Sequence, residues 1–462
     1  MTDAPPLRFD TLPLAAPQLA TLEQLGYTAM TPIQAASLPL ALAGHDLIAQ
    51  APTGSGKTLA FALALLARVR TDTGAAQALV LCPTRELADQ VAQAIRRIAR
   101  SEANLKLLTL CGGVPIRGQL ASLEHGAQLI VGTPGRVLDH LDRGSLKLDA
   151  LQCLVLDEAD RMLDMGFRDA IVAIDERCPG SQQTLLFSAT FPEEVLRLAQ
   201  QALREPREVL LEGGHPAEAI TQHFYRVANE TRLDVLVRLL RHHAPERALV
   251  FCNTRQECRD ACDALQAAGF VALPLHGELD QREREQTLVQ FSQKSCSVLV
   301  ATDVAARGID IAELEMVINA RPSPDADTHQ HRVGRTGRSG RSGLAFSLVA
   351  PNEERRVENL ATLQGFVPQW EDASAIPATD APAPQPPMAT LLILAGRRDK
   401  LRAGDVLGAL TQAAGLTREE VGQISITDSS TYVAVTRARA EAALRSLNRG
   451  GIKGRSMRVH RL

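Results

Sequence analysis

The sequence predicts two doubly wound, parallel-sheet α/β domains in tandem, followed by a small α+β domain. Three observations carry this reading. Continuous apolar runs alternate with helical patterns from the N-terminal region to about Gly365. A Pro/Ala-rich stretch breaks the rhythm after Trp370. Residues 388–462 then restart with the order strand, helix, strand, strand, helix, strand.

The runs at 78–82, 128–131, 153–156, 184–187, 248–251 and 297–300 lack the alternating polarity of a half-exposed strand. Continuous apolarity is what a parallel strand covered on both faces requires. Helical stretches such as 84–99 and 255–267 separate them, and such alternation builds βαβ units in an open sheet. The pattern pauses at 212–216 (EGGHP). This reads as a hinge over 209–219, between a first domain at 1–208 and a second at 220–370. Residues 371–387 hold five Pro and five Ala. That composition cannot build a core and reads as a semi-extended linker. In the tail, 391–394, 423–427, 431–435 and 458–460 read as strands, with helices at 404–414 and 437–447. The order is ferredoxin-like, an arrangement shared by RRM modules.

A chain of 462 residues corresponds to about three domains. Its 45% hydrophobic and 22% charged content is that of a globular protein. The longest apolar run, 59–67, is far short of the ~20 residues that span a bilayer. No charged start followed by an apolar block marks a secretory leader. The eight cysteines are scattered without a CxxC pair, and none follows Cys296. This argues against a disulfide framework or zinc ribbon and predicts a reducing, cytoplasmic location. The net charge of -3 hides an asymmetry: 388–462 carries thirteen Lys/Arg against six Asp/Glu. A basic tail on an acidic body points to a polyanionic partner. With only 3% aromatics, stacking on rings is not the main grip on bases.

Residues 51–58 (APTGSGKT) fit GxxxxGK(S/T) if Ala51 stands for the first glycine. They follow an apolar strand and open a helix, the context a phosphate loop needs. Small residues let backbone N–H groups surround phosphate oxygens at a helix start. Lys57 can reach the β- and γ-phosphates, and the Thr58 hydroxyl can ligate Mg²⁺. Asp157, Glu158 and Asp160 follow the strand at 153–156, where a carboxylate can hold Mg²⁺ and its neighbour can orient or deprotonate water. The second domain has no phosphate loop but carries 331–338 (HRVGRTGR). One nucleotide loop for two similar domains suggests arginines supplied in trans to stabilise transferring phosphate.

Taken together, the chain resembles a DEAD-box ATP-dependent RNA helicase of superfamily 2. Residues 26–34 (GYTAMTPIQ) are similar to the Q motif, with Phe9 as its upstream aromatic. The match continues through the loop at Lys57, 83–87 (PTREL), Gly112-Gly113, 133–136 (TPGR), 157–160 (DEAD) and 188–190 (SAT). In the second domain it includes 250–254 (VFCNT), Gln281 with Arg284, 301–310 (ATDVAARGID) and 331–338. The similarity covers about 9–365 and implies two RecA-like domains.

The resemblance implies ATP and Mg²⁺ as cofactors. Gln34 would read the adenine edge and Tyr27 would stack on it, with Phe9 nearby. Thr53, Gly54, Ser55, Gly56, Lys57 and Thr58 would cradle the phosphates. Asp157 would hold Mg²⁺ through water, with Thr58 as its other oxygen donor. Glu158 would be the general base. Asp310 would meet the ribose, and Arg335 and Arg338 would approach the γ-phosphate. Ser188, Thr190, Asp160 and His331 would couple the ATP and RNA sites. Arg85, Gly113, Thr133, Arg136, Arg284, Thr302 and Gly308 would line the RNA path. One departure stands at His329, where many members carry Tyr; a packing difference is expected there, not lost catalysis.

The tail narrows the resemblance. Residues 388–410 (MATLLILAGRRDKLRAGDVLGAL) and 451–455 (GIKGR) are similar to the C-terminal domain of the DbpA subfamily. That implies an RRM-like module directed to a hairpin of 23S rRNA, pre-50S particles as partners, and a role in large-subunit assembly. An RRM stacks bases on aromatics of its central strands. Here 391–394 has none, and 431–436 has only Tyr432. Arg397, Arg398, Lys400, Arg402, Lys453 and Arg455 are the expected contacts, gripping phosphates and RNA shape. A monomer is expected, with no membrane partner. The competing readings are a nucleotide-dependent RNA clamp without productive unwinding, a DNA-directed translocase and a small-molecule NTPase.

Overall fold

The computed structural model describes residues 7–51, 54–211, 220–306, 314–337, 343–377, 379 and 381–462. The hinge expected at 212–216 lies outside the described residues, as do Thr53, Gly308, Asp310 and Arg338.

The first domain has seven strands: β1 (Leu47–Gln50), β2 (Ala78–Leu81), β3 (Leu107–Leu110), β4 (Leu129–Gly132), β5 (Cys153–Asp157), β6 (Gln183–Ser188) and β7 (Arg207–Leu210). They pair in parallel in the order β3-β4-β2-β5-β6-β1-β7. Successive side chains feed two separate cores. Ala49, Val80, Val131, Val155 and Phe187 pack on one face, and Ile48, Leu79, Leu81, Ile130, Leu154 and Leu156 on the other. Each strand position must therefore be apolar whichever way it points, which is why the runs are continuous. Each such large side chain contributes roughly 1.5–3 kcal/mol by burial.

The second domain carries β8 (Ile220–Arg226), β9 (Ala248–Cys252), β10 (Ala272–Leu275), β11 (Val298–Thr302), β12 (Met316–Asn319), β13 (Gly343–Val349) and β14 (Gln369–Asp372). Their order, β10-β11-β9-β12-β13-β8-β14, repeats the first sheet's permutation seven strands later. The two domains are copies of one parallel topology.

The Pro/Ala-rich segment differs from the coreless linker that composition suggests. Its first two residues belong to β14, and Ala373, Ile376 and Ala383 join the second domain's core. Arg238 Nη2 donates to the carbonyls of Ala373 (3.1 Å) and Ile376 (2.5 Å), and Gln385 Nε2 donates to that of Gly269 (3.0 Å). A Pro-rich chain offers carbonyls without matching N–H groups. Side-chain donors strap it down.

The tail has β15 (Met388–Ile393), β16 (Val421–Ile426), β17 (Thr431–Thr436) and β18 (Val459–Arg461), antiparallel in the order β16-β17-β15-β18. The helix expected at 404–414 is α-helical over Ala403–Gly408 and then widens into a π-turn, Ala409–Ala413. Within it the Thr411 hydroxyl bonds the Leu407 carbonyl (3.0 Å), a local competitor for regular helix bonding. Ala389, Leu391, Ile393, Val433 and Val435 pack beneath the helices with Ala443 and Leu447.

Seven cysteines are buried and Cys178 is half-buried; all are free thiols. No helix among the described residues is long and apolar enough to cross a membrane.

Candidate nucleotide and RNA site

In the first sheet β5, β6 and β1 are neighbours and run parallel. The segments that leave their C-terminal ends therefore emerge at one edge, where ligands bind in such sheets. These are the phosphate loop, the acids after Leu156 and the Ser188–Thr190 segment. Ala51 N donates to Ser188 O at 3.1 Å, joining two of them. Gly54 (φ +84°) and Gly56 (φ +96°) take left-handed conformations, which favour glycine. Gly56 caps the helix Lys57–Leu66, whose first N–H groups have no partner within the helix. Lys57 is buried and its ammonium donates to Ala51 O (3.0 Å). Ser55 Oγ is buried without a hydrogen-bond partner among the described residues. A loop with such donors suits phosphate oxygens.

Gln34 joins this loop to the preceding helix. Thr31 opens the helix Pro32–Ala43, and Thr31 N donates to Gln34 Oε1 (2.9 Å). The same amide donates from Nε2 to Gly56 O (3.0 Å). A Cβ on Gly56 would lie 2.4 Å from that nitrogen, so a larger residue there would push the glutamine amide off its bond to the loop. Tyr27 is 40% exposed and offers its ring, but Phe9 is packed in the core with Leu12, Leu22 and Met30. The apolar ring of Phe9 supports this segment from the core side.

Asp157, at the end of β5, is almost fully buried. Burial pushes its carboxyl up to about 7; Lys57 works against this, and the charge of Glu158 adds to it. A divalent cation would favour the ionised form, and Thr58 in the adjoining helix's first turn supplies another hard oxygen. The donor set fits Mg²⁺. Glu158 has φ +54°, a left-handed conformation that costs a non-glycine residue roughly 1–2 kcal/mol. Such strain collects at functional sites. Its Oε2 lies 3.0 Å from Arg161 Nη1, and both side chains are nearly fully buried. Sequence reading missed Arg161; the i, i+3 spacing was its signal.

Asp160 is the knot of the site. Its Oδ2 accepts from Ala189 N (3.2 Å), Thr190 N (3.0 Å) and Thr190 Oγ1 (3.0 Å), while Asp160 N donates to Ser188 Oγ (3.2 Å). The fourth residue of the acidic segment and the whole Ser-Ala-Thr segment are one hydrogen-bonded unit.

Residues expected on the RNA path also gather at strand ends. The Arg85 guanidinium lies against Gly113, where φ is +72° and a Cβ would sit 1.9 Å from Nη1. Gly113→Ala should therefore displace Arg85 and add left-handed strain. RNA affinity should fall about tenfold, equivalent to about 1.4 kcal/mol, with RNA-independent ATPase unchanged; RNA titrations of ATPase check this. Arg136 is preset by Gln119 Oε1 (2.7 Å), and that oxygen also meets His140 Nε2 (2.9 Å). Neither Gln119 nor His140 was found from sequence. Thr133 is nearly buried at the start of the helix Pro134–Asp142.

In the second domain, Thr302 ends β11, and Arg284 donates to Ala305 O (2.8 Å). His331 lies on the helix Ala326–Val333, and Arg335 follows it, 4% exposed. The residue sequence reasoning undervalued is Arg332. Its guanidinium bonds both oxygens of Asp303 (2.6 Å each), Asn319 Oδ1 (3.2 Å), Asn253 Oδ1 (2.7 Å) and Arg321 O (3.1 Å). It ties three motifs together.

His329, the departure noted in the sequence, is 2% exposed and packs in a ring cluster with Phe224 and Phe366, with Nε2 meeting Gln222 Oε1 (2.9 Å). Burial lowers it from 6.5 to about 4. Between these values the unfolded chain takes a proton that the folded chain refuses, so acid favours unfolding. This contribution is complete above about pH 6.5 and declines by about 3 kcal/mol as pH falls through 4. Urea unfolding of the wild type and His329→Tyr across this range should show the acid loss reduced in the variant.

The tail's basic candidates lie on two adjoining turns. Arg397 and Arg398 are in the turn Arg397–Asp399, followed by Lys400; Arg402 precedes the helix Ala403–Gly408. Lys453 and Arg455 lie in a turn closed by Ile452 N donating to Arg455 O (2.9 Å). Lys453 pairs with Asp405 (2.9 Å), while its Nζ is 3.5 Å from Lys400 O, so the two turns meet. All six basic residues are exposed.

The phosphate loop lies in the first of two domains that share one parallel topology, and the matching family models give the class, a DEAD/DEAH box helicase. A DEAD/DEAH box helicase model matches residues 31–198, and a helicase conserved C-terminal domain model matches 231–340. A DbpA RNA binding domain model matches 390–461. The chain is 49% identical over 456 residues to the ATP-dependent RNA helicase DbpA of Escherichia coli (strain K12), covering 98% of this chain and 99% of that one. It is 43% identical to the DEAD-box ATP-dependent RNA helicase CshA of Streptococcus pneumoniae serotype 4, over 75% of this chain and 66% of the relative. The structure of S. cerevisiae Dbp5 bound to RNA and ADP BeF3 is similar with a TM-score of 0.72 and 32% identity, over 79% of this chain and 96% of that one. The chain belongs to the DbpA family of DEAD-box ATP-dependent RNA helicases. It is an RNA-stimulated ATPase that binds RNA.

Proposed function

We propose that this enzyme remodels short RNA duplexes in large-subunit (23S) rRNA within cytoplasmic pre-50S particles, acting as a monomer. The observation that carries the catalytic part is the Asp160 knot, because it binds the acidic segment to the Ser-Ala-Thr segment. Gln34 and Tyr27 select adenine, and the loop from Thr53 to Thr58 holds the phosphates. Thr58, and Asp157 through water, would hold Mg²⁺, which would supply charge to offset the phosphate oxygens. Glu158 takes the proton of the attacking water. Arg335 and Arg338 stabilise the transferring phosphoryl group, and Asp310 holds the ribose. Ser188, Thr190, Asp160 and His331 carry the nucleotide state to the RNA path. That path comprises Arg85, Gly113, Thr133, Arg136, Arg284, Thr302 and Gly308, gripping phosphates and 2′-hydroxyls with little sequence preference.

The tail supplies the address through its basic turns. Reversing charge at Arg398, Lys400, Lys453 and Arg455 in the full chain should abolish preference for structured 23S rRNA fragments. Stimulation by unstructured RNA should remain. ATPase assays with both RNAs decide this; equal preference in variant and wild type would remove the tail from targeting.

A further inference from the structure

The first sheet ends on an open strand. β3 pairs with β4 alone, and its residues Leu107, Leu108 and Thr109 are half-buried. A cavity of about 640 Å³ lies against this edge, between the ends of the helices Arg85–Ile98 and Ile116–Glu124. Ala99, Leu105, Leu107 and Ala121 give it an apolar lining, and Arg96, Lys106 and His125, all exposed, give it a basic one. Arg96 Nη2 donates to Leu107 O (3.2 Å) and Lys106 Nζ to His125 O (3.0 Å). Such bonds to neutral carbonyls hold the cations over the edge without cancelling their charge. Lys106 enters no ion pair among the described residues. Of the nearby acids, Glu102 accepts from Gln18 Nε2 (3.2 Å), and Glu124 is the only acid of its helix.

The groove starts where the proposed RNA path reaches this edge. The helix Arg85–Ile98 begins at Arg85, whose guanidinium lies against Gly113. It reaches Arg96 about 16 Å further along its axis. The helix Ile116–Glu124 also starts just beyond Gly113 and ends beside His125. Arg117, Ala121 and His125 recur at four-residue steps and so share one helix side. Ala121 and His125 line the cavity, which puts Arg117, exposed, on the stretch between it and Gly113.

We propose that this groove holds a single-stranded RNA segment that leaves the main path at Gly113, with Arg117, Arg96 and Lys106 on its phosphates and the apolar lining under its riboses. The inference rests on the proposed RNA roles of Arg85 and Gly113. Phosphate contacts of this kind add affinity without sequence preference. Charged side chains at a sheet edge also block strand pairing, but that role needs no cavity and no further cation toward Gly113. An acidic peptide adding as a strand would have to displace Arg96 from Leu107 O. A ribose-phosphate chain needs no pairing with the edge.

ATPase titrations of the full chain test this with unstructured RNAs that carry no 23S element. One RNA is just long enough to stimulate turnover; the others add a single-stranded extension at the 5′ or the 3′ end. Extension at one end should lower the half-stimulating concentration severalfold in the wild type. Arg96→Glu/Lys106→Glu should lose that gain while keeping the maximal rate and the response to the short RNA. Ala121→Trp, which fills the groove without changing charge, should lose it too, and Lys106→Arg should keep it. No gain from either extension, or a gain that survives both the charge reversal and the filled groove, overturns the proposal. A 4-thiouridine in the extension should crosslink to the segment from Leu105 to His125, located by mass spectrometry; crosslinks confined to other segments also overturn it. If Arg85→Ala leaves the response to the short RNA unchanged, the proposed main path fails, while the crosslink still decides the groove.

Discussion

Glu158→Gln should reduce multiple-turnover phosphate release by about 10²–10⁴-fold, the usual contribution of a positioned general base. ATP-dependent RNA binding should persist, because the amide keeps the size of the side chain and leaves Lys57, the phosphate loop and the Asp160 knot intact. Persistent binding with halted turnover separates a lost base from a lost site. Arg161 supplies the control. It pairs with Glu158 at 3.0 Å in a nearly solvent-free setting, and a lysine there would keep the charge but lose the planar fork. Arg161→Lys should cost less turnover than Glu158→Gln. Phosphate release within tenfold of wild type in Glu158→Gln would withdraw the base assignment.

Arg332→Ala should destabilise the second domain by about 3–5 kcal/mol, the range for removing one partner of a buried ion pair. The guanidinium is 1% exposed, and its removal strands Asp303, Asn319 and Asn253 together. Arg332→Lys should recover little, since an ammonium cannot reproduce the two 2.6 Å bonds to Asp303. Urea unfolding followed at domain resolution measures the loss. A change below about 1 kcal/mol would mean that surrounding water or side chains replace the guanidinium at little cost.

The same contrast explains what the sequence made legible. Central strands such as β2, β5, β9 and β11 are apolar throughout, save for the last residues Asp157 of β5 and Thr302 of β11, because both sheet faces are covered, and they stand out in a plain reading. β8 reads Ile-Thr-Gln-His-Phe-Tyr-Arg and hides, since its polar members meet partners from elsewhere in the fold, as His223 does with Glu371. β14 hides inside a Pro/Ala-rich stretch because its pairing with β8 is set by backbone, not by side-chain pattern. Among site residues, those with a fixed spacing to a loop or strand end were readable: Lys57, Asp157, Glu158 and Ser188. Gln119, His140, Asp303 and Asn253 act through partners distant in the chain that only the fold brings near. Their residue types alone carry no address. Phe9 was legible as an aromatic before the glutamine segment, but its packing with Leu12, Leu22 and Met30 was not.

The amide of Gln34 has a consequence for redesign. One side chain closes the start of its helix and braces the bend at Gly56, so its two bonding ends are already committed in part. Swapping it to make the enzyme accept guanine nucleotides would also slacken the pocket for the triphosphate. A change of fuel in this scaffold would need a second, compensating substitution to restore the brace.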